Sequence, residues 1–153
     1  MKKIFGILLL LMVSIAIAEE DFRLIIKDNI LVEINKSDWS YLSNEGTYDF
    51  FITKNSKHTG NGFHKVHTMV EFKEKDGRLY DNLQAPVKRI ISYGYMSCEE
   101  HVFYLIGQLY LEVNDKIIYA EEHQFGTYRI EVTSPNTARN KAFAKVCILG
   151  KDA

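Results

Sequence analysis

Alternation of apolar and polar residues is the feature that most constrains the fold of this chain. From Trp39 onward, apolar side chains tend to recur at every second residue. A period of two places one set of side chains on one face of a β-strand, so this pattern predicts a sheet. Three segments show it best: Tyr48, Phe50 and Ile52; Val66, Val70 and Phe72, with Thr68 between them; and Phe103, Leu105, Leu109, Leu111 and Val113, with a gap at Gly107. We predict that the last segment, from His101 to Val113, is a central strand.

Short turn sequences separate the predicted strands. They are Asn44-Glu45-Gly46, Gly60-Asn61-Gly62, Asp76-Gly77 and Asn114-Asp115. Asn and Asp tolerate positive φ and Gly adopts it freely, so each site can reverse the chain. At Val113–Lys116 we predict a two-residue hairpin loop that leads into a strand over Ile117–Glu121. Strands joined by short turns favour an antiparallel meander, of about six strands here, over a doubly wound parallel sheet.

A single amphipathic helix is predicted near the C-terminus. Ser134 can cap it, Pro135 suits the first helical position, and Gly150 ends it. One apolar stripe follows the helical period, formed by Ala138, Ala142, Phe143, Val146 and Cys147. The expected fold is therefore α+β, an antiparallel β-sheet meander with a C-terminal helix packed on the sheet.

The two cysteines, Cys98 and Cys147, predict a disulfide that tethers this helix. Cys147 lies on the apolar stripe and Cys98 at the end of a predicted strand, which suits a bridge between helix and sheet. Closing a loop of 49 residues is worth about 4 kcal/mol in the loop-entropy model. Two buried free thiols are the alternative interpretation.

The N-terminus has the order of a secretory signal. Lys2 and Lys3 precede an apolar run, and Ala16-Ile17-Ala18 forms a small-residue cleavage site before three acidic residues. We expect cleavage and export, with a retained anchor as the alternative, although the run is short for a spanning helix. No cysteine lies at the cleavage site, so we expect no lipid attachment there.

Three segments follow from this interpretation. They are a signal peptide over 1–18, an N-terminal segment of the mature chain over 19–37, and one compact domain over 38–153. Within the second segment, Phe22–Asn35 is strand-like but carries Asp28-Asn29 at its centre. The mature chain has 17 basic and 20 acidic side chains, a formal charge of −3. This balance gives no electrostatic reason to expect nucleic acid.

From Asp38 to Leu149 the chain resembles the surface-adhesin protein E family. The resemblance rests on the order and spacing of motifs along nearly the whole mature domain: Trp39, Tyr48-Asp49, Val87-Lys88-Arg89, Cys98, Tyr104, Tyr110, Ser134-Pro135 and Val146-Cys147. None of these motifs is catalytic. The family fold that the resemblance implies is an antiparallel sheet with a disulfide-tethered C-terminal helix, in agreement with the pattern of apolar residues.

Adhesion is the function that this resemblance implies. Members of the family lie on the bacterial outer surface, bind host proteins such as vitronectin, laminin and plasminogen, and can form homodimers. Two departures matter here: this leader lacks the lipidated cysteine of the adhesin, and Tyr128 stands where relatives often carry Trp. We therefore expect a periplasmic, released or surface protein that does not span the membrane after cleavage.

Candidate catalytic and metal-binding residues are few. His64 and His67 lie three positions apart on a predicted strand, which puts their rings on opposite faces and disfavours a shared metal. The chain has no nucleophile elbow of the Gly-x-Ser-x-Gly type, and Gly60-Asn61-Gly62 lacks the further residues of a phosphate loop. We expect no enzyme activity, no metal and no cofactor.

Tyrosine is the residue type most usable for binding a protein partner, because protein interfaces favour it. We predict that Tyr104 and Tyr110 lie on one face of the long strand, opposite its apolar row, with Tyr93 and Tyr95 from the preceding strand. This face is either a binding surface or a second core. The preferred hypothesis is an exported binding module for a host matrix, plasma or envelope protein. The alternative is a periplasmic accessory or structural protein without a host ligand.

Overall fold

A computed structural model of the protein describes residues 36–54, 56–59, 62–132 and 134–148. The predicted signal peptide, the strand-like segment Phe22–Asn35 and the helix end at Gly150 lie outside these residues. In the part of the chain that is described, no helix is both long and apolar enough to cross a membrane.

The described chain forms one antiparallel sheet with a single helix packed on it, which confirms the predicted fold class. A 3-10 turn at Lys36–Asp38 precedes the first strand. The eight strands are β1 (Trp39–Asn44), β2 (Tyr48–Thr53), β3 (Lys57–His58), β4 (Phe63–Phe72), β5 (Arg89–Ser97), β6 (Val102–Leu111), β7 (Ile117–Glu122) and β8 (Tyr128–Glu131). Helix α1 (Ala138–Phe143) continues as a π-helical turn over Ala144–Ile148.

The sheet order is β1-β2-β4-β5-β6-β7, and with β3 and β8 the described sheet has eight strands, where the sequence predicts about six. The two short strands extend this path without widening it, because β3 pairs with β4 and β8 pairs with β6. The predicted meander is thus the β4-β5-β6-β7 part of the sheet, where consecutive strands pair antiparallel.

The turn between β6 and β7 differs from the prediction by one residue. The Glu112 N–H donates to the Lys116 carbonyl at 3.0 Å, and Asp115 has a φ of 64°. This closes a three-residue loop over 113–115, in which a turn is followed by a residue in the left-handed region. Asp tolerates that conformation, so the hairpin forms without a glycine.

The helix confirms its predicted apolar stripe but begins later than predicted. Ala138, Ala142, Phe143, Val146 and Cys147 are all buried against the sheet. The residue that caps the helix is Thr137, whose hydroxyl accepts a hydrogen bond from the Asn140 N–H at 3.2 Å. Ser134 and Pro135 precede it in a turn, because Asn136 has a φ of 68° and interrupts the helix there.

A disulfide joins Cys98, immediately after β5, to Cys147 in the π-helical turn, as predicted. The two Cα atoms are 5.5 Å apart, within the usual range for a bridge. The bond closes the 49-residue loop and fixes one end of the helix to the sheet.

The sheet has an apolar cluster on each face. We call the face under α1 the helix face, marked by Phe50, Val66, Met96 and Leu105, and the opposite face the far face, marked by Met69, Ile91, Tyr93 and Leu109. Both faces of the central strands are therefore buried, so the second face of β5 and β6 is largely a second core.

A bulge in β6 overturns the prediction of one continuous apolar row on that strand. Leu105 pairs with Gly94 and Gly107 pairs with Tyr93, so Ile106 is an extra residue with no opposite partner. The bulge reverses the alternation: Phe103 and Leu105 lie on the helix face, whereas Leu109 and Leu111 lie on the far face.

Arg89 on β5 connects three elements through a largely buried pair of contacts. Its Nη2 lies 2.9 Å from Oε1 of Glu71 on β4, and its Nη1 contacts the carboxylate of Asp115 in the β6–β7 loop. The Arg89 side chain is 11% exposed, so solvent screens these contacts weakly.

We predict that Arg89→Gln lowers the free energy of unfolding by about 2 kcal/mol, because two partly buried carboxylates lose their partner. Urea denaturation measures this loss. Arg129→Gln, at an exposed position on β8, is the matched control and should change the value by less than about 0.5 kcal/mol. Equal losses in the two variants would contradict this role of Arg89.

Candidate functional site

The four tyrosines predicted as a binding face do not share one surface. Tyr93, Tyr95 and Tyr104 are only 7%, 4% and 9% exposed and belong to the far-face cluster. Tyr110 lies on the helix face, because the bulge at Ile106 separates it from Tyr104. The expectation of a common tyrosine face is therefore wrong in its geometry, and three of the four side chains lie in the core.

Phe125, in the connection between β7 and β8, helps to bury two of these tyrosines. Its ring stacks on Tyr104 at 5.0 Å between centroids and meets Tyr95 edge-on at 5.9 Å. The Tyr104 hydroxyl donates a hydrogen bond to the Glu100 carboxylate, which raises the pKa of Tyr104 above its ordinary value. These contacts give the two tyrosines a structural role in the far-face core.

A different set of aromatic rings forms a continuous surface on the helix face. Consecutive rings lie 6.2, 6.3, 6.4 and 5.4 Å apart, and we call this set the tyrosine row: Tyr48, Phe72, Tyr80, Tyr110 and Tyr119. It crosses the sheet from β2 to β7. Phe72 is buried, whereas the tyrosines are half-buried or, at Tyr119, 42% exposed.

Sheet register explains how distant parts of the chain contribute to this row. Tyr48 pairs with Phe72, and Tyr110 pairs with Tyr119, so each pair lies side by side on adjacent strands. Tyr80 comes from the connection between β4 and β5 and fills the space between the two pairs. The Arg78 guanidinium lies 6.0 Å from the Tyr80 ring centroid, at the limit of a cation–π contact.

Tyr110 is the most strongly held member of the row. Its hydroxyl donates to the Glu121 carboxylate at 2.7 Å. Burial, reinforced by this hydrogen bond, raises the pKa of Tyr110 above its ordinary value, so the phenol stays protonated at neutral pH. Glu121 also lies 3.4 Å from Nε2 of His123, which links the row to the end of β7.

A partly enclosed cavity of about 130 Å³ lies beside the row, between α1 and the centre of the sheet. Thr68, Ser92 and Gln108 form a polar strip along it, since they pair in register across β4, β5 and β6. The Gln108 amide donates to the Ser92 hydroxyl at 2.8 Å. Arg139 reaches the cavity from α1.

The histidines of β4 lie on opposite faces of the strand, as their spacing predicts. The His64 ring contacts His58 at 4.9 Å, and the His67 ring contacts Tyr93 of the far-face cluster at 4.5 Å. Within the described ranges, no three His, Cys, Asp or Glu side chains converge in a way that could hold a metal ion.

The fold and this surface define a small α+β domain whose helix is tethered by a disulfide beside an aromatic sheet surface. No family model, no curated protein and no solved structure matches the chain. Membership of the surface-adhesin protein E family therefore stays a prediction from the sequence motifs.

Proposed function

We propose that this chain is an exported binding module that contacts a protein partner through the tyrosine row. The observation that carries the proposal is the row itself, a band of touching aromatic rings that crosses the sheet and leaves four tyrosines at least partly accessible. Apart from its aromatic surface, the band also offers hydroxyl groups for hydrogen bonds.

Tyrosines of this kind suit a protein interface. They present large, rigid contact area at low conformational cost, and Tyr and Arg are enriched among the residues that dominate binding energy. Arg78 lies beside Tyr80, which adds a cation to the rim of the surface. These features fit a binding role better than the buried Tyr93, Tyr95 and Tyr104 do.

Export is supported by the disulfide and by the leader-like N-terminus. Structural disulfides persist in oxidising compartments and are rare in the cytosol. The bridge between Cys98 and Cys147 is therefore compatible with a periplasmic, surface or released protein. Because the chain resembles the adhesin family, vitronectin, laminin and plasminogen are the first partners to test, and an envelope protein is the next.

We predict that Tyr119→Ser weakens binding to a partner among these three proteins by about tenfold or more, because it removes the most exposed ring of the row. Surface plasmon resonance at physiological salt, with each host protein immobilised in turn, measures the change. The edge position of β7 allows the substitution without repacking the core.

Tyr41→Ser is the matched control. Tyr41 is 57% exposed, lies on the opposite edge strand β1, and contacts Phe51, which packs against the far-face cluster. It should bind like the unmodified chain. If Tyr119→Ser and Tyr41→Ser weaken saturable binding equally, the tyrosine row is not the partner site. Absence of binding to all three proteins would favour the periplasmic accessory role.

A further inference from the structure

The cavity beside the tyrosine row has apolar walls and a polar strip. Its volume of about 130 Å³ is comparable to an engineered cavity that holds a six-atom apolar ring. The walls are formed by aliphatic, aromatic and thioether side chains, among them Phe50, Val70, Ile90, Leu105, Ile130 and Ala142. A space of this size accepts a small branched aliphatic group.

The polar strip offers hydrogen-bond donors to the cavity. Thr68 is 9% exposed, and its hydroxyl makes no hydrogen bond to any described residue. The Ser92 hydroxyl accepts from Gln108, which leaves its own hydrogen available, and the Gln108 amide has a second N–H. A hydroxyl that lines a cavity and makes no hydrogen bond to the protein can donate one to a ligand there.

Arg139 supplies a positive charge at the same place. Arg139, an exposed residue of α1, is among the residues that line the cavity, and it forms no ion pair with an acidic side chain in the described part of the chain. An arginine next to several neutral donors matches a carboxylate, which accepts hydrogen bonds at both oxygens. Without such a cation, burial of a carboxylate would be strongly unfavourable.

We propose that this cavity binds a carboxylate carried on a small aliphatic group. The aliphatic part fills the apolar walls, and the carboxylate accepts hydrogen bonds from Thr68, Ser92 and Arg139. Two sources share this chemistry: a C-terminal valine or leucine of a protein, and a free short-chain acid. In the first case the inference rests on the proposed function, since the cavity would anchor the end of the partner whose surface contacts the tyrosine row.

Titration of the full disulfide-bonded chain with isovalerate, followed by amide NMR shifts, tests this proposal. We expect saturable shifts at Thr68, Ser92 and the Gln108 side-chain amide. Isovaleramide, which has the same shape without the charge, should bind about tenfold more weakly or worse. A short peptide that ends in Gly-Gly-Val with a free carboxylate, compared with its C-terminal amide, separates the two sources. Tighter binding of the free peptide than of isovalerate identifies a protein terminus, and the reverse identifies a free acid.

Three variants make the test specific to the cavity. Arg139→Gln should weaken isovalerate binding about tenfold or more, and Thr68→Val, which keeps the side-chain shape, about fivefold. Lys141→Gln, on an exposed position of the same helix, should leave it unchanged. The proposal is overturned if neither ligand shifts these residues, if acid and amide bind equally, or if Arg139→Gln has no effect. Tyr119→Ser should not alter isovalerate binding, so failure here leaves the tyrosine-row proposal separately testable.

Discussion

Replacing both Cys98 and Cys147 with alanine is expected to lower the free energy of unfolding by about 4 kcal/mol. The bridge closes a loop of 49 residues, and its loss restores that conformational freedom to the unfolded chain. The loss is a large fraction of the stability of an ordinary small domain. Because the bridge fixes α1 to the sheet, the helix face would also become more accessible, including the apolar residues under the stripe.

Urea denaturation followed by the fluorescence of Trp39, the single tryptophan, measures this effect. Addition of reductant to the unmodified chain should reproduce the loss, which separates the effect of the bond from that of the substitutions. A change below about 1 kcal/mol in both experiments would show that packing alone holds the helix in place.

The second large effect is expected from Gly94→Ala on β5, which we predict to cost about 3 kcal/mol or more. A Cβ atom at this position would overlap the Tyr104 carbonyl oxygen and lie 2.6 Å from Cζ of Phe103. The close approach arises beside the bulge, where β6 carries one extra residue against β5. Relief would require movement of the backbone of two central strands.

Gly46→Ala is a comparison variant in which the cost comes from the backbone conformation and not from steric overlap. Gly46 has a φ of +82°, and a Cβ added there would meet no atom within 4 Å, so alanine encounters strain in the backbone and no steric overlap. We expect a loss of about 1 kcal/mol at Gly46, clearly smaller than at Gly94. Similar losses at the two glycines, measured by thermal or urea denaturation, would contradict the close packing of β5 against β6.

Much of the architecture could be predicted from the sequence because alternation and turn residues are local signals. Tyr48, Phe50 and Ile52 share a face as their spacing requires, and so do Val66, Val70 and Phe72. The apolar stripe of α1 is also a local signal. Its last member, Cys147, predicts the disulfide with Cys98 that the structure shows. These features depend on neighbours a few residues away, so one sequence is enough to define them.

The candidate site depended on features that alternation cannot show. A bulge inserts one residue without any obligatory sequence signature, so Tyr104 and Tyr110 separated onto different faces although their even spacing suggested one face. Gly107, which left a gap in the apolar row, was the nearest signal. No local pattern marks Tyr80, which lies in a connection without periodicity, because its place in the row depends on tertiary packing.

The helix start illustrates a second kind of limit. Ser134 and Thr137 both suit a capping position, and Pro135 favoured the earlier one. The helix starts after Asn136 because Asn136 is in the left-handed region. Asn tolerates this backbone state, but no sequence pattern shows at which Asn it occurs. Polar residues with two local roles therefore leave helix boundaries uncertain by about a turn.

The most direct test of the central claim is a hydrogen-exchange footprint of the chain with and without vitronectin, laminin or plasminogen. We predict slower exchange in β7 and in the 73–88 connection, which carry Tyr119 and Tyr80, with β1 unchanged. Binding of any of these proteins with protection confined to β1 or to the far face, and none in β7 or the 73–88 connection, would contradict a partner site on the tyrosine row.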